Sequence, residues 1–289
     1  MTERAAIVRT PGSSFVRALS AHPEKHLIDV KLTRIQHARY VSALEAAGIR
    51  VIVLPPLEDC PDATFVEDTV VIFDDVAVAC PMKKKSRQGE SASILEEIEK
   101  YRSVEKLSEP VSLDGGDVLN TKEKLLVGIS TRTNQEAAGA LSEIAGKPVV
   151  SVPVLRGLHL KTRLTSLGGN LLVVDSSSID VATLDGFRFI ETGEPDNYAA
   201  NCLAIGKTVL MPAGFQKVAK NIRKEGLRTV ELEMSEFEKA EGGLTCLSII
   251  FNLDVGRKKP YLKLQALPAE TLPLKIAGLD GINISCQAP

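Results

Sequence analysis

Leu32-Thr33-Arg34-Ile35-Gln36-His37-Ala38-Arg39-Tyr40-Val41-Ser42-Ala43-Leu44-Glu45-Ala46-Ala47-Gly48-Ile49-Arg50-Val51-Ile52-Val53-Leu54 reads as a helix followed at once by a strand. Leu32, Ile35, Ala38, Val41 and Leu44 recur every third residue, so the pattern predicts a helix over 32–47 with one apolar stripe. Gly48 supplies the stop, and the short apolar run 49–54 reads as a strand. The same alternation continues along the chain. Strands are expected at 5–9, 70–79, 125–129, 149–154, 171–175, 208–211, 229–232 and 247–253. Helices are expected between them, at 90–101, 134–145, 178–185, 215–225 and 235–238. No Pro-, Gly- or Ser-rich linker interrupts this rhythm of roughly 50–60 residues, so repeated α/β units packed as one domain over 1–267 are expected. Residues 268–289 differ in character, carrying Pro268, Pro273, Gly278 and Gly281, and are set apart as a C-terminal extension.

A hydrophobic content of 44% in 289 residues gives ample core material, which excludes a disordered chain. The net charge of -2 gives no bulk reason to bind nucleic acid or a membrane surface. Lys83-Lys84-Lys85 therefore reads as a solvated loop. Cys60, Cys80, Cys202, Cys246 and Cys286 are an odd number without a CxxC pair, so a disulfide framework or zinc ribbon is not indicated. Met1-Thr2-Glu3-Arg4 opens without a long apolar core, and no run approaches the ~18 apolar residues of a membrane span. A cytoplasmic protein is expected. His22 and His26 stand four apart around Pro23 without further ligands, so no metal site is assigned there. Phosphate-cradling glycine loops of the P-loop and dinucleotide types do not occur.

Gly157-Leu158-His159-Leu160-Lys161 and Gly242-Gly243-Leu244-Thr245-Cys246-Leu247-Ser248 supply one histidine and one cysteine in settings that suit nucleophilic catalysis. Cysteine attacks as the thiolate and needs a base or cation beside it. Leu158 and Leu160 alternate with His159 and Lys161 as in a half-buried strand, and the two glycines allow a close backbone approach ahead of another strand. Each residue also fits a plain reading, Cys246 as a small buried hydrophobe and His159 as a satisfied core histidine. Asp62, Glu67 and Asp68 run directly into the apolar strand at Val70. Carboxylates at a strand mouth must be hydrated, paired or waiting for a cation, and a planar guanidinium suits two adjacent ones, with Phe65 against its flat face. An internal salt bridge to an arginine would satisfy them equally. Leu113-Asp114-Gly115-Gly116-Asp117 reads as a hairpin turn or as a tight turn holding a carboxylate for a catalytic histidine.

Taken in order, Phe65-Val66-Glu67-Asp68, Leu113-Asp114-Gly115-Gly116-Asp117, Arg132-Thr133-Asn134-Gln135, Gly157-Leu158-His159-Leu160-Lys161, Ala199-Ala200-Asn201-Cys202 and Leu244-Thr245-Cys246 resemble the motifs of the dimethylarginine dimethylaminohydrolase family. That family sits among the guanidine-modifying enzymes. The resemblance spans about residues 6–252. It implies a five-bladed α/β propeller of ββαβ modules with pseudo-fivefold symmetry and an active site in the central channel. It implies hydrolysis of Nω-methylated arginine to citrulline and methylamine or dimethylamine through a covalent cysteine S-alkylthiouronium, with no cofactor and no metal.

By matched motif, the resemblance makes Cys246 the nucleophile, His159 the general acid and then base, and Asp114 the partner of His159. Glu67 and Asp68 would grip the guanidinium, Asp62 the α-amino group, and Arg87 and Arg132 the α-carboxylate. Phe15 falls on the family's lid, which places the gate at 12–17. Leu247 stands where some relatives carry a second cysteine. The nearest alternative activity is that of a related guanidine or ureido hydrolase, such as an arginine deiminase or a citrulline hydrolase. A non-catalytic binder of cationic amino acids is the other alternative, which retention of both Cys246 and His159 disfavours. The expected partner is a small-molecule substrate, with a homo-oligomer left open.

Overall fold

The structure, a computed structural model, describes residues 3–253. Strand β1 (Arg4–Arg9), helix α1 (Val30–Ala46) and strand β2 (Ile49–Leu54) come first, followed by β3 (Val70–Ile72), β4 (Val76–Ala79), α2 (Ala92–Ile98) and β5 (Ser103–Lys106). Next are β6 (Val118–Asn120), β7 (Leu125–Ile129), α3 (Gln135–Ala145) and β8 (Val149–Pro153), then β9 (Leu164–Gly168), β10 (Leu171–Asp175) and β11 (Arg188–Thr192). The last are β12 (Leu203–Ile205), β13 (Thr208–Pro212), α4 (Gln216–Lys224), β14 (Arg228–Leu232), α5 (Ser235–Glu238) and β15 (Ile249–Asn252).

The described strands form five three-stranded sheets, ordered β15-β1-β2, β3-β4-β5, β6-β7-β8, β9-β10-β11 and β12-β13-β14. In every sheet the first pair is antiparallel and the second parallel. A parallel pair needs a crossover, and α1, α2, α3 and α4 provide it in four of the sheets. In the fourth sheet the crossover carries only a 3-10 turn, Val181–Thr183, where a helix over 178–185 was expected. The result is an α/β propeller of five three-stranded blades, four of them ββαβ, with pseudo-fivefold symmetry. Because β15 pairs with β1, the end of the described chain completes the blade that its start began, so no linker is needed anywhere. The expected extension at 268–289 lies outside the described residues, as does Cys286.

Caps explain the helix bounds. Asp29 Oδ1 accepts from Lys31 N at 2.8 Å and Leu32 N at 3.3 Å, which starts α1 at Val30. Asn134 caps α3 in the same way through Ala137 N, and Gly146 ends it at a φ of 58°. The expected strand over 70–79 is a hairpin, β3 and β4, because Phe73 N turns back to Val76 O.

The expected stripe on α1 is corrected. Leu32 is 37% and Ile35 50% exposed, and the buried face is Thr33, Gln36, His37, Tyr40 and Leu44. That face is polar because it meets polar partners: Gln36 Nε2 donates to Ser235 Oγ at 2.8 Å, and Tyr40 OH and Ser248 Oγ lie 2.7 Å apart. Lys83, Lys84 and Lys85 are exposed, as the loop reading required. No described helix is long and apolar enough to cross a membrane.

Candidate active site

Immediately ahead of the first strand of each blade the backbone makes one turn of 3-10 helix. These turns are Val66–Thr69, Gly115–Asp117, Leu160–Thr162, Asn197–Ala200 and Thr245–Leu247. They gather residues from five distant stretches of sequence, which brings Glu67, Asp68, Asp114, His159 and Cys246 together. Two of the expected local readings change. His159 does not sit in an alternating strand; it precedes its turn with extended backbone, at φ -137° and ψ 159°. The segment Asp114-Gly115-Gly116-Asp117 is not a hairpin but one of the five turns. Glycine is required there by crowding, since a Cβ on Gly116 would lie 2.6 Å from Asp68 Oδ1 and 2.9 Å from His159 Nδ1. Gly242 has the close approach expected of it, with the Phe65 ring 2.2 Å from where a Cβ would be.

His159 is enclosed by carboxylates. Its Nε2 lies 3.0 Å from Asp114 Oδ2, its Nδ1 lies 3.7 Å from Asp68 Oδ1, and the next peptide, Leu160 N–H, donates to Asp117 Oδ1 at 2.8 Å. Burial alone would depress the imidazole pKa, but the charge of Asp68, the bond to Asp114 and the charges of Asp117 and Asp114 outweigh it and raise it to about 9. Arg132 Nη1 donates to the same Asp114 oxygen at 3.2 Å. Asp68 is held below the ordinary carboxylate range: burial opposes this, and the charges of His159 and Arg87 overcome it. Asp68, Asp114 and His159 each offer a ligand atom within 4.8 Å of the others, so a cation could be held there, although Arg87 and Arg132 already balance these carboxylates.

Arg87 is tightly committed. Its Nη1 meets Asp68 Oδ2 at 2.6 Å, Nε and Nη2 fork onto Glu90, and Nη2 also reaches the carbonyl oxygens of Asp62 and Phe65. Such a buried pair resists loss of one partner, a change that typically costs about 3–5 kcal/mol. Burial lifts the Glu90 carboxyl to about 7 against the pull of Arg87.

A cavity of about 20 Å³ is lined by Asp62, Phe65, Asp68, Arg87, Arg132, His159 and Cys246 together with Leu19, Leu158, Ala240, Glu241 and Gly242. A larger one, about 310 Å³, is lined by Glu67, Lys161, Thr245 and residues of the inner strands. Residues one or two apart at three turns thus face different cavities: Asp68, His159 and Cys246 the small one, Glu67, Lys161 and Thr245 the large one. Glu67, expected to grip a guanidinium, lines the large cavity. Its Oε1 pairs with Lys161 Nζ at 2.7 Å and its Oε2 accepts from Thr245 Oγ1 at 2.9 Å. Phe15, expected on the lid, is fully buried in an aromatic cluster with Phe65 and Phe237, each with ring centroids 5.7 Å from its own. The residue of this segment that reaches the small cavity is Leu19, whose N–H donates to Asp62 Oδ1 at 3.0 Å.

Cys246 Sγ accepts from Gly243 N–H at 3.4 Å. Burial, then the charges of Glu67 and Asp68, push its thiol well above the ordinary range, against that bond and the charge of Lys161. Burial and the neighbouring carboxylates thus favour the neutral thiol, and a cation beside the sulfur would favour the thiolate.

Sequence reasoning passed over Leu19 and Glu90 and gave no role to Asp117, Lys161 or Thr245. Lys161 and Thr245 lay inside quoted motifs, but nothing in one-dimensional spacing assigns a partner to either. Glu90 carried a signal, an i,i+3 relation to Arg87.

A family model described as N,N dimethylarginine dimethylhydrolase, eukaryotic, matches residues 15–251. The chain is 34% identical over 251 residues to the N(G),N(G)-dimethylarginine dimethylaminohydrolase of Pseudomonas aeruginosa, covering 85% of this chain and 98% of that protein. It is 37% identical over 256 residues to the protein of the same name from Streptomyces coelicolor, covering 86% and 97%. Among solved structures, a cysteine-to-serine mutant of the Pseudomonas aeruginosa protein complexed with citrulline superposes with a TM-score of 0.81 at 32% identity, over 87% of this chain and 100% of that one.

Proposed function

The chain belongs to the dimethylarginine dimethylaminohydrolase family, and from that premise we propose that it hydrolyses Nω-methylated arginine to citrulline and a methylamine, with Cys246 as the nucleophile. The observation that carries this reading is the small cavity itself, where one thiol, one carboxylate-held imidazole and the Asp68 carboxylate meet with Arg132 at the margin. Burial, then the charges of Glu67 and Asp68, keeps Cys246 protonated, and a cationic guanidinium offsets those charges, so substrate binding itself favours the thiolate.

The chemistry follows from the groups present. The thiolate adds to the guanidinium carbon while Asp68 holds the cation. Nε2 of His159 is tied to Asp114, so Nδ1 is the nitrogen that hands its proton to the departing methylamine, leaving an S-alkylthiouronium on Cys246. Water then adds, His159 takes its proton, and the C–S bond breaks to release citrulline and the thiolate. Asp114 keeps the ring in one tautomer and favours its cationic form. Glu67 serves a different end: paired with Lys161 and Thr245, it braces the turns behind the site.

About 20 Å³ cannot hold an amino acid, so the covering segment must swing aside for substrate. We assign that movement to residues 18–21, held by Leu19 N–H to Asp62, Ser20 Oγ to Lys239 O and Ala21 N–H to Glu241. Substrate would compete for Asp62 through its α-amino group. Of the two arginines expected at the α-carboxylate, Arg132 is the better placed, because the guanidinium of Arg87 is already satisfied by Asp68, Glu90 and two carbonyl oxygens. The four described cysteines are free and buried, which suits a cytoplasmic setting.

A colour assay for the ureido product, citrulline from the arginines and N-carbamoylputrescine from agmatine, run separately with asymmetric dimethylarginine, monomethylarginine, arginine and agmatine, tests the reading. Agmatine lacks the carboxylate and should show a kcat/KM lower by roughly 10³-fold, because it forfeits the charge-assisted contact to Arg132. Arg132→Ala should weaken methylarginine use much more than agmatine use. Comparable kcat/KM for the two substrates in the unmodified protein would remove the carboxylate contact, and citrulline formed from arginine alone would move the chain to a deiminase activity.

The raised imidazole makes a second test. His159 acts as an acid while protonated, so kcat/KM should fall as pH rises through about 9. The same shift contributes stability that is complete below the unfolded value of ~6.5 and lost as pH rises through about 9. Asp114→Asn removes a charge that favours imidazolium and should carry the alkaline limb to lower pH. An unmoved limb would show that His159 does not set it.

A further inference from the structure

Four of the five converging turns carry groups with a use in the proposed reaction, Asp68, Asp114, His159 and Cys246. The fifth, Asn197–Ala200, is followed by Asn201, which is uncharged and is not among the residues lining the small cavity. Asn201 is nonetheless 2% exposed, with both ends of its carboxamide engaged. Its Nδ2 donates to Lys161 O at 2.7 Å and to Thr245 Oγ1 at 3.1 Å, while Oδ1 accepts from Thr245 N–H at 3.1 Å. Lys161 stands two residues after His159, and Thr245 stands one before Cys246. A single planar amide therefore spans from the histidine turn to the cysteine turn.

The connection closes into a ring. Thr245 Oγ1 donates to Glu67 Oε2 at 2.9 Å, and Glu67 Oε1 pairs with Lys161 Nζ at 2.7 Å, back on the strand of chain that Asn201 holds. Asn201 also bears on the sulfur. A Cβ on Gly243 would lie 2.4 Å from Asn201 Cγ, so only glycine allows this contact, and the N–H of Gly243 donates to Cys246 Sγ. Asp114 fixes how the imidazole is rotated, but it touches nothing on the cysteine turn. The spacing between the proton donor and the sulfur needs a group that touches both turns.

Resting on the reading that Cys246 and His159 carry the reaction, we propose that Asn201 is a positioning residue, whose carboxamide sets the distance between the nucleophile turn and the acid–base turn. A misplacement of about 1 Å in such a pair lowers turnover on the order of 10²-fold. Substrate is gripped elsewhere, by Asp68, Asp62 and Arg132, so binding is spared.

Asn201→Ala and Asn201→Asp test this by methylamine release, together with the rate at which iodoacetamide alkylates Cys246, a reaction of the thiolate that needs no proton from His159. Asn201→Ala should lower kcat about 10²-fold with KM within about threefold and alkylation little changed. Asn201→Asp has the same shape and still accepts from Thr245 N–H, but when ionised it cannot donate to Lys161 O. Its activity relative to the unmodified protein should therefore recover as pH falls and the carboxyl gains a proton, while that of the alanine variant stays flat. If the alanine variant does not fold, the near-isosteric aspartate variant decides alone. Wild-type kcat in Asn201→Ala, or in Asn201→Asp at neutral pH, or kcat, KM and alkylation shifting together without recovery at low pH, would overturn the proposal. An unmodified protein that releases no methylamine would overturn the catalytic reading and this one with it, whereas full turnover in Asn201→Ala would overturn this one only.

Discussion

Cys246→Ser is expected to leave a folded protein whose turnover of methylarginine has dropped by roughly 10⁴-fold or more, the scale on which enzymes register loss of a nucleophile. The substitution is nearly isosteric at a site 5% exposed, and a serine Oγ can accept from Gly243 N–H as the sulfur does, so stability should change little. A hydroxyl, however, ionises far less readily than a thiol, and the bound cation that favours the thiolate cannot close that gap. Thermal unfolding and the citrulline assay on the same preparation check both halves of the expectation. A serine variant with turnover near that of the unmodified protein would exclude Cys246 as the attacking group.

His159→Gly should slow turnover by about 10²–10⁴-fold, the range that a positioned acid–base group supplies. Rapid-quench measurements should find both half-reactions affected, since the same nitrogen protonates the departing amine and deprotonates the incoming water. Substrate affinity should hold, because the contacts assigned to the guanidinium and α-carboxylate come from Asp68 and Arg132. Removing the imidazole also leaves Asp114 and Asp68 without a cation between them, so the variant should lose stability above the carboxylate pKa range and regain it in acid. Near-normal rates for either half-reaction would take His159 out of that step.

The alternation of strands and helices was legible because the longer elements obey local rules. Asp29, Asn134 and Gly146 cap where caps belong, and 49–54, 125–129 and 171–175 read correctly as strands to the residue. The strands that escaped notice, such as β5 with the sequence Ser-Val-Glu-Lys and the three-residue β6 and β12, are too short or too polar for a period of two to register. On α1 the apolar pattern pointed to the wrong face, because tertiary partners on α5 and Ser248 satisfy Gln36 and Tyr40 and permit a polar interface.

The site was legible as a set of residues and not as an arrangement. Glu67 and Asp68 are adjacent carboxylates that spacing cannot tell apart, yet a 3-10 turn aims one at each cavity. Phe15 and Leu19 lie on one segment, and only packing decides that the first joins the Phe65–Phe237 cluster while the second covers the site. Asp117 and Thr245 act through backbone N–H groups and neighbouring side chains, contacts that leave no trace in spacing.

The central claim, covalent catalysis by Cys246 on a methylated arginine, is tested most directly by quenching the enzyme in acid during turnover and mapping peptide masses. The account predicts an S-alkylthiouronium adduct on the peptide that contains Cys246, present with substrate and absent without it. An adduct on Cys60, Cys80, Cys202 or Cys286, or steady turnover with no adduct on any cysteine, would contradict it.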